Sequence, residues 1–350
     1  MMSEQAPPVK KHDNESTGAG NPSELALAKL IKRTLPETPE LLSFRRLSGG
    51  ASQETWVIET RGEKLKRRII MRRAPGGTGE KRFFSAGLTA EANLIKLAGK
   101  YKVPVPEVFH ILEPSDALGR GYLMSYVEGE TIARKILRDA CFDKVRPDLA
   151  RQCGDALAKI HSIPIDQCPQ LPSRPARLRI IDLESQYRNQ SNPRPVFEFA
   201  FQWLHKNMPP PTTLTLVHGD FRNGNLIIDE NGIAAAIDWE LAHFGDALED
   251  LGLLCAPSWR FGQLDKEVGG FGKIDQLIAG YEAAGGAPVD RGILNYWIVF
   301  TTLFWGIACV EFALDFRKGD RAVERAAIGR RSSEAELDLL WLLDSKGGRI

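Results

Sequence analysis

The sequence predicts an α+β fold in two lobes, an antiparallel-sheet lobe with one helix followed by a larger, mainly helical lobe. Three observations predict it. Between residues 54 and 129, short apolar runs with alternating character are separated by turn residues, the period of strands. Helical periodicity dominates 131–161, 176–190 and 195–207, and resumes toward the C-terminus. Only the region 214–238 interrupts it, with two apolar runs joined by Asn231-Gly232. A chain of 350 residues can bury the core that one large domain or two joined lobes require.

Taken in order, residues 1–20 are polar and rich in Gly, Pro and Ser, which predicts a disordered tail without the apolar stretch of a signal peptide. Ser23 is placed to cap a helix through "LALAKLIKRTL". "ETWVIET" (54–60) alternates as a strand, residues 61–64 turn it, and "KRRIIMRRAP" (66–75) returns. A helix over "TAEANLIKLAGKY" (89–101) comes next. Two strands, "VPVPEVFHIL" and "GYLMSYVEG", follow around an Asp-Ala-Leu-Gly turn. The seam falls near Ser125–Gly129, dividing an N-lobe of residues 21–126 from a C-lobe of residues 127–350. The run "ILNYWIVFTTLFWGIACV" (293–310) sits at the short edge of the membrane-spanning range. Its Asn295, two threonines and Gly306, and the Glu311 that follows, favour a buried helix of a large domain.

Bulk properties exclude some classes. A net charge of +1, with 26% charged residues, gives no support to nucleic-acid binding by bulk charge. Five scattered cysteines without a CxxC pair fit a reducing cytoplasm and argue against a cysteine zinc site.

The chemistry is concentrated in "HGDFRNGNLIIDENGIAAAIDWE", residues 218–240. With Asn231-Gly232 as a type I′ turn and an unbulged ladder, Asn225 lies directly opposite Asp238. Leu226, Ile227 and Ile228 then pair with Ala235, Ala236 and Ile237. An amide oxygen beside a carboxylate suits Mg²⁺, which takes few protein oxygens and completes its octahedron with water and phosphates. Asp220, five residues before Asn225, is a third oxygen group, able to accept a proton from an alcohol. Each residue alone reads equally as a turn, cap or loop residue; their joint spacing favours a site.

"HGDFRNGN" followed by "IDWE" resembles the aminoglycoside phosphotransferase and choline kinase-like family, relatives of protein kinases. The resemblance implies a protein-kinase-like two-lobe fold and transfer of the γ-phosphoryl of ATP to a hydroxyl of a small molecule, with Mg²⁺. It makes Asp220 the catalytic base, and Asn225 and Asp238 the metal ligands. "LAHFGDALEDL" (241–251) continues the likeness, with Ala247 where the family often has Pro; Asp246 and Asp250 read as supports of the loop. In the first lobe, Gly49, Gly50 and Ser52 of "LSGGASQET" stand where a phosphate-covering loop is expected. Arg72 occupies the place of the family's phosphate-binding Lys, with Arg73 on the opposite face and Glu91 as the ion-pair partner of Arg72. Met124, Ser125, Tyr126 and Val127 resemble the hinge that meets adenine. The chain also resembles the kinase-like domains fused to acyl-CoA dehydrogenases, a subgroup associated with hydroxyacyl-CoA phosphorylation.

For the acceptor, residues 287–350 hold nine acidic and nine basic residues, no hint of an acidic pocket for a polycation. The segment 317–331 has six basic and two acidic residues; a solvated face explains it most simply, and a mildly anionic acceptor is the sharper alternative. Two rivals stand beside the kinase reading: a nucleotide-binding pseudokinase, which intact Asp220, Asn225 and Asp238 disfavour, and a metal hydrolase built on His218. The other five histidines fall in no ligand-like spacing.

Overall fold

A computed structural model of the chain describes residues 21–47, 53–77, 85–190, 192–319 and 323–344. Helix α1 (Glu24–Thr34) is capped as expected: the Ser23 hydroxyl accepts from the Ala26 N–H at 3.3 Å. Strands β1 (Glu40–Arg46), β2 (Glu54–Arg61) and β3 (Lys66–Arg73) follow, then α2 (Leu88–Lys100), β4 (Val108–Ile111) and β5 (Gly121–Ser125). They form a five-stranded antiparallel sheet in the order β1-β2-β3-β5-β4.

Strand alternation divides the sheet into two faces. Trp56, Ile58, Ile69, Met71 and Leu123 pack with Leu27, Leu30 and Ile31 of α1. Val57, Ile70, Tyr122 and Met124 belong to the other core, with Leu94, Ile95 and Ala98 of α2. Arg72 therefore lies on the α2 face, and Arg73 on the opposite face, where it pairs with buried Glu54 at 3.1 Å. Strand β1 was not expected from the sequence. It is an edge strand with no buried residue, so its residues carry no burial alternation to read.

The second lobe comprises α3 (Ala133–Arg138), α4 (Leu149–His161), α5 (Ala176–Asn189) and α6 (Pro195–Lys206), then β6 (Thr215–Val217), β7 (Leu226–Asp229), β8 (Gly232–Ala236) and β9 (His243–Gly245). Helices α7 (Leu248–Cys255), α8 (Ile274–Ala283), α9 (Arg291–Arg317), α10 (Val323–Gly329) and α11 (Ser332–Leu343) complete it. The helical period expected to run through 131–161 is broken. Asp139 is extended (φ −76°, ψ 135°) and ends α3, and two short 3₁₀ turns, Ala140–Phe142 and Arg146–Asp148, precede α4. Arg146 spans the break, donating to the carbonyls of Ile136 and Asp139 at 2.9 and 2.8 Å.

Helix α9 contains the 293–310 run. By length and composition it is apolar enough to cross a membrane, yet 61% of its apolar window is buried inside the protein. Trp297, Phe300, Leu303 and Ile307 pack against Ile180, Phe197, Phe201 and Leu339 of the surrounding helices. Helices α4 and α8 meet at Gly154. A Cβ there would lie 2.2 Å from the Leu277 carbonyl oxygen and 2.5 Å from the Tyr281 nitrogen. Both are backbone atoms and cannot rotate away. Gly154→Ala is thus expected to cost about 1–3 kcal/mol by overpacking, read as a fall in melting temperature; an unchanged melting temperature would show slack in this contact.

Candidate active site

Strand β6 pairs with β9 and delivers the chain into the loop at residues 218–225. The first two N–H groups of that loop, on His218 and Gly219, donate to the two carboxylate oxygens of Asp250 at 2.8 and 2.9 Å. Asp250 is fully buried on α7 and also meets His161 Nε2 at 3.2 Å, while His161 Nδ1 lies 3.0 Å from the Tyr281 hydroxyl. Gly219 has φ +80°, and a side chain there would strike the Leu241 carbonyl. The His218 ring packs on Trp239, 4.5 Å between centres, and its Nδ1 accepts from the Asp220 N–H at 3.2 Å. Burial lowers its pKa and keeps it neutral. His218 thus shapes the loop and has the surroundings of a packing residue.

Asp220 is held on both sides: Oδ1 accepts from Arg222 Nε at 2.8 Å, and Oδ2 from Asn225 Nδ2 at 2.5 Å. Burial pushes its pKa up to about 6, against the pull of Arg222 and with the help of the Asp238 charge. Asn225 also gives its amide N–H₂ to the Asp220 carbonyl at 3.0 Å. Both donor bonds of Asn225 therefore point to Asp220, which turns its amide oxygen away from it; among the described residues that oxygen accepts no hydrogen bond.

The hairpin corrects the expected register. Leu226 pairs with Ala236 and Ile227 with Ala235, then a bulge shifts Ile228 onto Ile233 and Asp229 onto Gly232. The loop tip is Glu230-Asn231, one residue earlier than expected, and of Asn231 and Gly232 only Gly232 has positive φ. The Asp229 carboxylate causes this by accepting from the N–H groups of Asn231 and Gly232 at 2.7 and 3.1 Å. Gly232 also lies where a Cβ would be 2.0 Å from Gln152 Oε1.

Asn225 therefore faces Ile237, whose N–H donates to its carbonyl at 2.9 Å. Asp238 is one step further on. In a regular strand that step would turn its side chain to the other face. Asp238 instead adopts φ 68°, ψ 62°, a left-handed conformation that costs an L-residue about 1–2 kcal/mol. Its carboxylate meets Arg72 at 2.9 Å and lies near enough to Asp220 to raise the latter's pKa.

Arg72 lies between two carboxylates, Asp238 and Glu91, the latter at 3.5 Å. Glu91 is 1% exposed, and burial pushes its pKa up to about 7 despite the nearby guanidinium. Tyr122, directly across the ladder from Arg72, is also buried; burial and the Glu91 charge hold its pKa well above the usual phenol value.

At the hinge, Met124 is buried and pairs with Ile70 and Val108. The Ser125 N–H, expected to face adenine, is used by the Glu107 carbonyl at 2.8 Å, because the β4–β5 pairing extends one residue beyond β4. Among the described residues, the N–H groups of Tyr126 and Val127 have no backbone partner. The Tyr126 ring lies 4.1 Å from the Arg68 guanidinium, which pairs with Glu128. A cavity of about 430 Å³ opens there, lined also by Glu59 and Lys66 and by no residue of the 218–240 motif. Gly49, Gly50 and Ser52 lie outside the described residues.

Sequence reasoning missed Arg222, although it stands inside the motif quoted, and Trp259, against whose ring it packs 4.2 Å from the centre. No group of three or more His, Cys, Asp or Glu able to hold a metal occurs among the described residues. An ion at this site would rest on one amide oxygen and one carboxylate, a donor set that suits Mg²⁺ with phosphates and water.

A model of the phosphotransferase enzyme family matches residues 43–286, more than half of the chain. The chain belongs to the phosphotransferase enzyme family. The chain is 27% identical over 303 residues to a probable acyl-CoA dehydrogenase of Arabidopsis thaliana, IBR3. That match covers 76% of the chain but only 35% of the relative, so the chain spans about a third of that relative's length. A solved Ralstonia eutropha structure, described as a candidate aminoglycoside phosphotransferase, shares the fold at a TM-score of 0.72 with 20% identity, covering 91% of this chain and 98% of that one. A spectinomycin phosphotransferase solved with ADP and spectinomycin shares it at 0.57 with 14% identity, over 91% and 95%. The two lobes are those of this kinase-like fold.

Proposed function

We propose that this phosphotransferase moves the γ-phosphoryl group of ATP to a hydroxyl group of a small molecule, using Mg²⁺. The observation that carries the reading is the convergence at Asp220: a carboxylate oriented by Arg222 and Asn225, beside a second carboxylate, Asp238, that touches Arg72. The hinge N–H groups of Tyr126 and Val127 meet the adenine edge. Arg72, held on the sheet by Glu91, balances phosphate charge with its planar fork. Asn225 and Asp238 hold Mg²⁺, which when bound supplies charge neutralisation at the phosphates. Asp220 orients the acceptor hydroxyl and accepts its proton as the new oxygen–phosphorus bond forms and the bond to the β-phosphate oxygen breaks, releasing ADP. Most of the acceleration is positioning and electrostatics.

Among acceptors, the probable acyl-CoA dehydrogenase relative favours a metabolic hydroxyl, such as that of a hydroxyacyl-CoA, over an antibiotic. The test is ADP release from ATP with and without hydroxylated metabolites, across pH. Asp220 acts as its carboxylate, which is populated above about pH 6. kcat/KM is expected to fall tenfold per unit below that value and to level off above it. No nucleotide-dependent stabilisation and no ADP release would refute the reading; a flat profile from pH 5 to 8 would remove Asp220 from the base role.

A further inference from the structure

Two residues beyond Asp220 the loop presents a cation that the reaction above uses only as a prop. Arg222 Nε holds Asp220 Oδ1, and the guanidinium carbon sits 4.2 Å from the centre of the Trp259 ring. Trp259 in turn packs on Trp305 of α9, 4.8 Å between centres, and the Arg331 guanidinium lies 5.4 Å from Trp305. The segment carrying Trp259 is tied to the catalytic loop a second time, where buried Asn223 donates from Nδ2 to the Gly269 carbonyl at 2.9 Å. Arg222 is thus fixed at one edge by the base and on one face by an indole. Stacking of this kind leaves the in-plane donors of a guanidinium available. Its two terminal nitrogens hold no hydrogen bond or ion pair among the described residues, and 24% of its side chain is exposed. The carboxylates at this end of the cleft are already engaged: Asp220 by Arg222 and Asn225, Asp238 by Arg72. An approaching anion would therefore meet the terminal nitrogens of Arg222 without first displacing a carboxylate from them.

We propose that Arg222 selects the acceptor, binding with its free edge a carboxylate or phosphate carried by the molecule whose hydroxyl Asp220 activates. The inference rests on the phosphotransferase reading and adds the charge class of the substrate. A planar fork and an oxyanion match in two parallel bonds, which also fixes the direction from which the hydroxyl approaches.

The probes are two matched pairs, 3-hydroxybutyrate with 3-hydroxybutyramide and glycerol 3-phosphate with glycerol. Each is added to ATP and Mg²⁺ while ADP release is followed in wild type, Arg222→Gln and Arg222→Lys. In the wild type, the charged member of at least one pair is expected to act at a concentration at least tenfold below its neutral partner. It acts either by raising ADP release or by slowing the basal hydrolysis in which water is the acceptor. Which pair responds tells carboxylate from phosphate. Arg222→Gln should bring that ratio close to one, and Arg222→Lys, which keeps the charge and loses the fork, should retain part of it. Equal action of charged and neutral partners on the wild type overturns the proposal. So does an Arg222→Gln effect that lowers both partners by the same factor, the mark of a role confined to the transferred phosphoryl group. Absence of any ATP hydrolysis refutes the phosphotransferase reading, and this inference with it.

Discussion

Replacing Asp220 with Asn is expected to lower kcat by about 10²–10⁴, the usual contribution of a general base, while leaving ADP affinity close to that of the wild type. The same substitution should leave the protein at least as stable. Asp220 has its pKa raised from 3.8 to about 6, chiefly by burial, so its ionised form opposes folding. A raised carboxylate is favourable to folding below its unfolded value and loses that advantage as pH rises through the folded one. The destabilisation therefore builds between about pH 4 and 6 and is complete above 6. A shift of this size corresponds to roughly 3 kcal/mol at most. An Asn keeps the shape without the charge, though it binds Arg222 less well. Thermal melts at pH 8 should place Asp220→Asn level with or above the wild type, with any gain shrinking toward pH 4. A variant that retains turnover, or one that is inactive because it has unfolded, would contradict the role given to Asp220.

The second large effect is on stability. Arg72→Met removes the cation beside Glu91, which is 1% exposed. Breaking a buried pair from one side typically costs about 3–5 kcal/mol. The pH dependence gives the sign. Burial already holds the Glu91 pKa near 7, and Arg72 is what pulls it down. Without Arg72 it moves higher, so the variant folds with Glu91 protonated. Its deficit should be smallest near pH 5 and grow as pH rises through 7 and beyond. Adding Glu91→Gln should restore most of the loss at pH 8. Denaturant titrations at the two pH values check this; a small deficit, equal at both, would mean that the pair contributes little to holding the lobe together.

Much of the site could be read because its parts are close in sequence. Asp220 and Asn225 share one loop, so their spacing is visible directly, although the loop's shape also rests on Asp250 of α7. The hairpin was legible, but not its register. Asn-Gly is a strong turn signal, yet the Asp229 side chain captured two N–H groups and moved the tip one residue earlier, and Glu130 paired with Ile228 at the bulge. Those are a side-chain choice and a long-range contact, neither visible as periodicity. The left-handed backbone at Asp238, which brings the carboxylate to Arg72, depends on the same local packing. Strand β1 was missed because an exposed edge strand has no buried face to write into the sequence. The contact of Arg222 with Trp259 joins positions 37 apart across two loops, where spacing carries no information.

The most direct test concerns the hairpin's two oxygens. ADP is titrated calorimetrically into the wild type and into Asp238→Asn, each with and without Mg²⁺. Asn225 and Asp238 acting together as ligands require that Mg²⁺ tighten ADP binding to the wild type by at least about tenfold, some 1.4 kcal/mol, and that Asp238→Asn lose this gain while still binding ADP alone. An equal Mg²⁺ enhancement in both proteins would contradict the account.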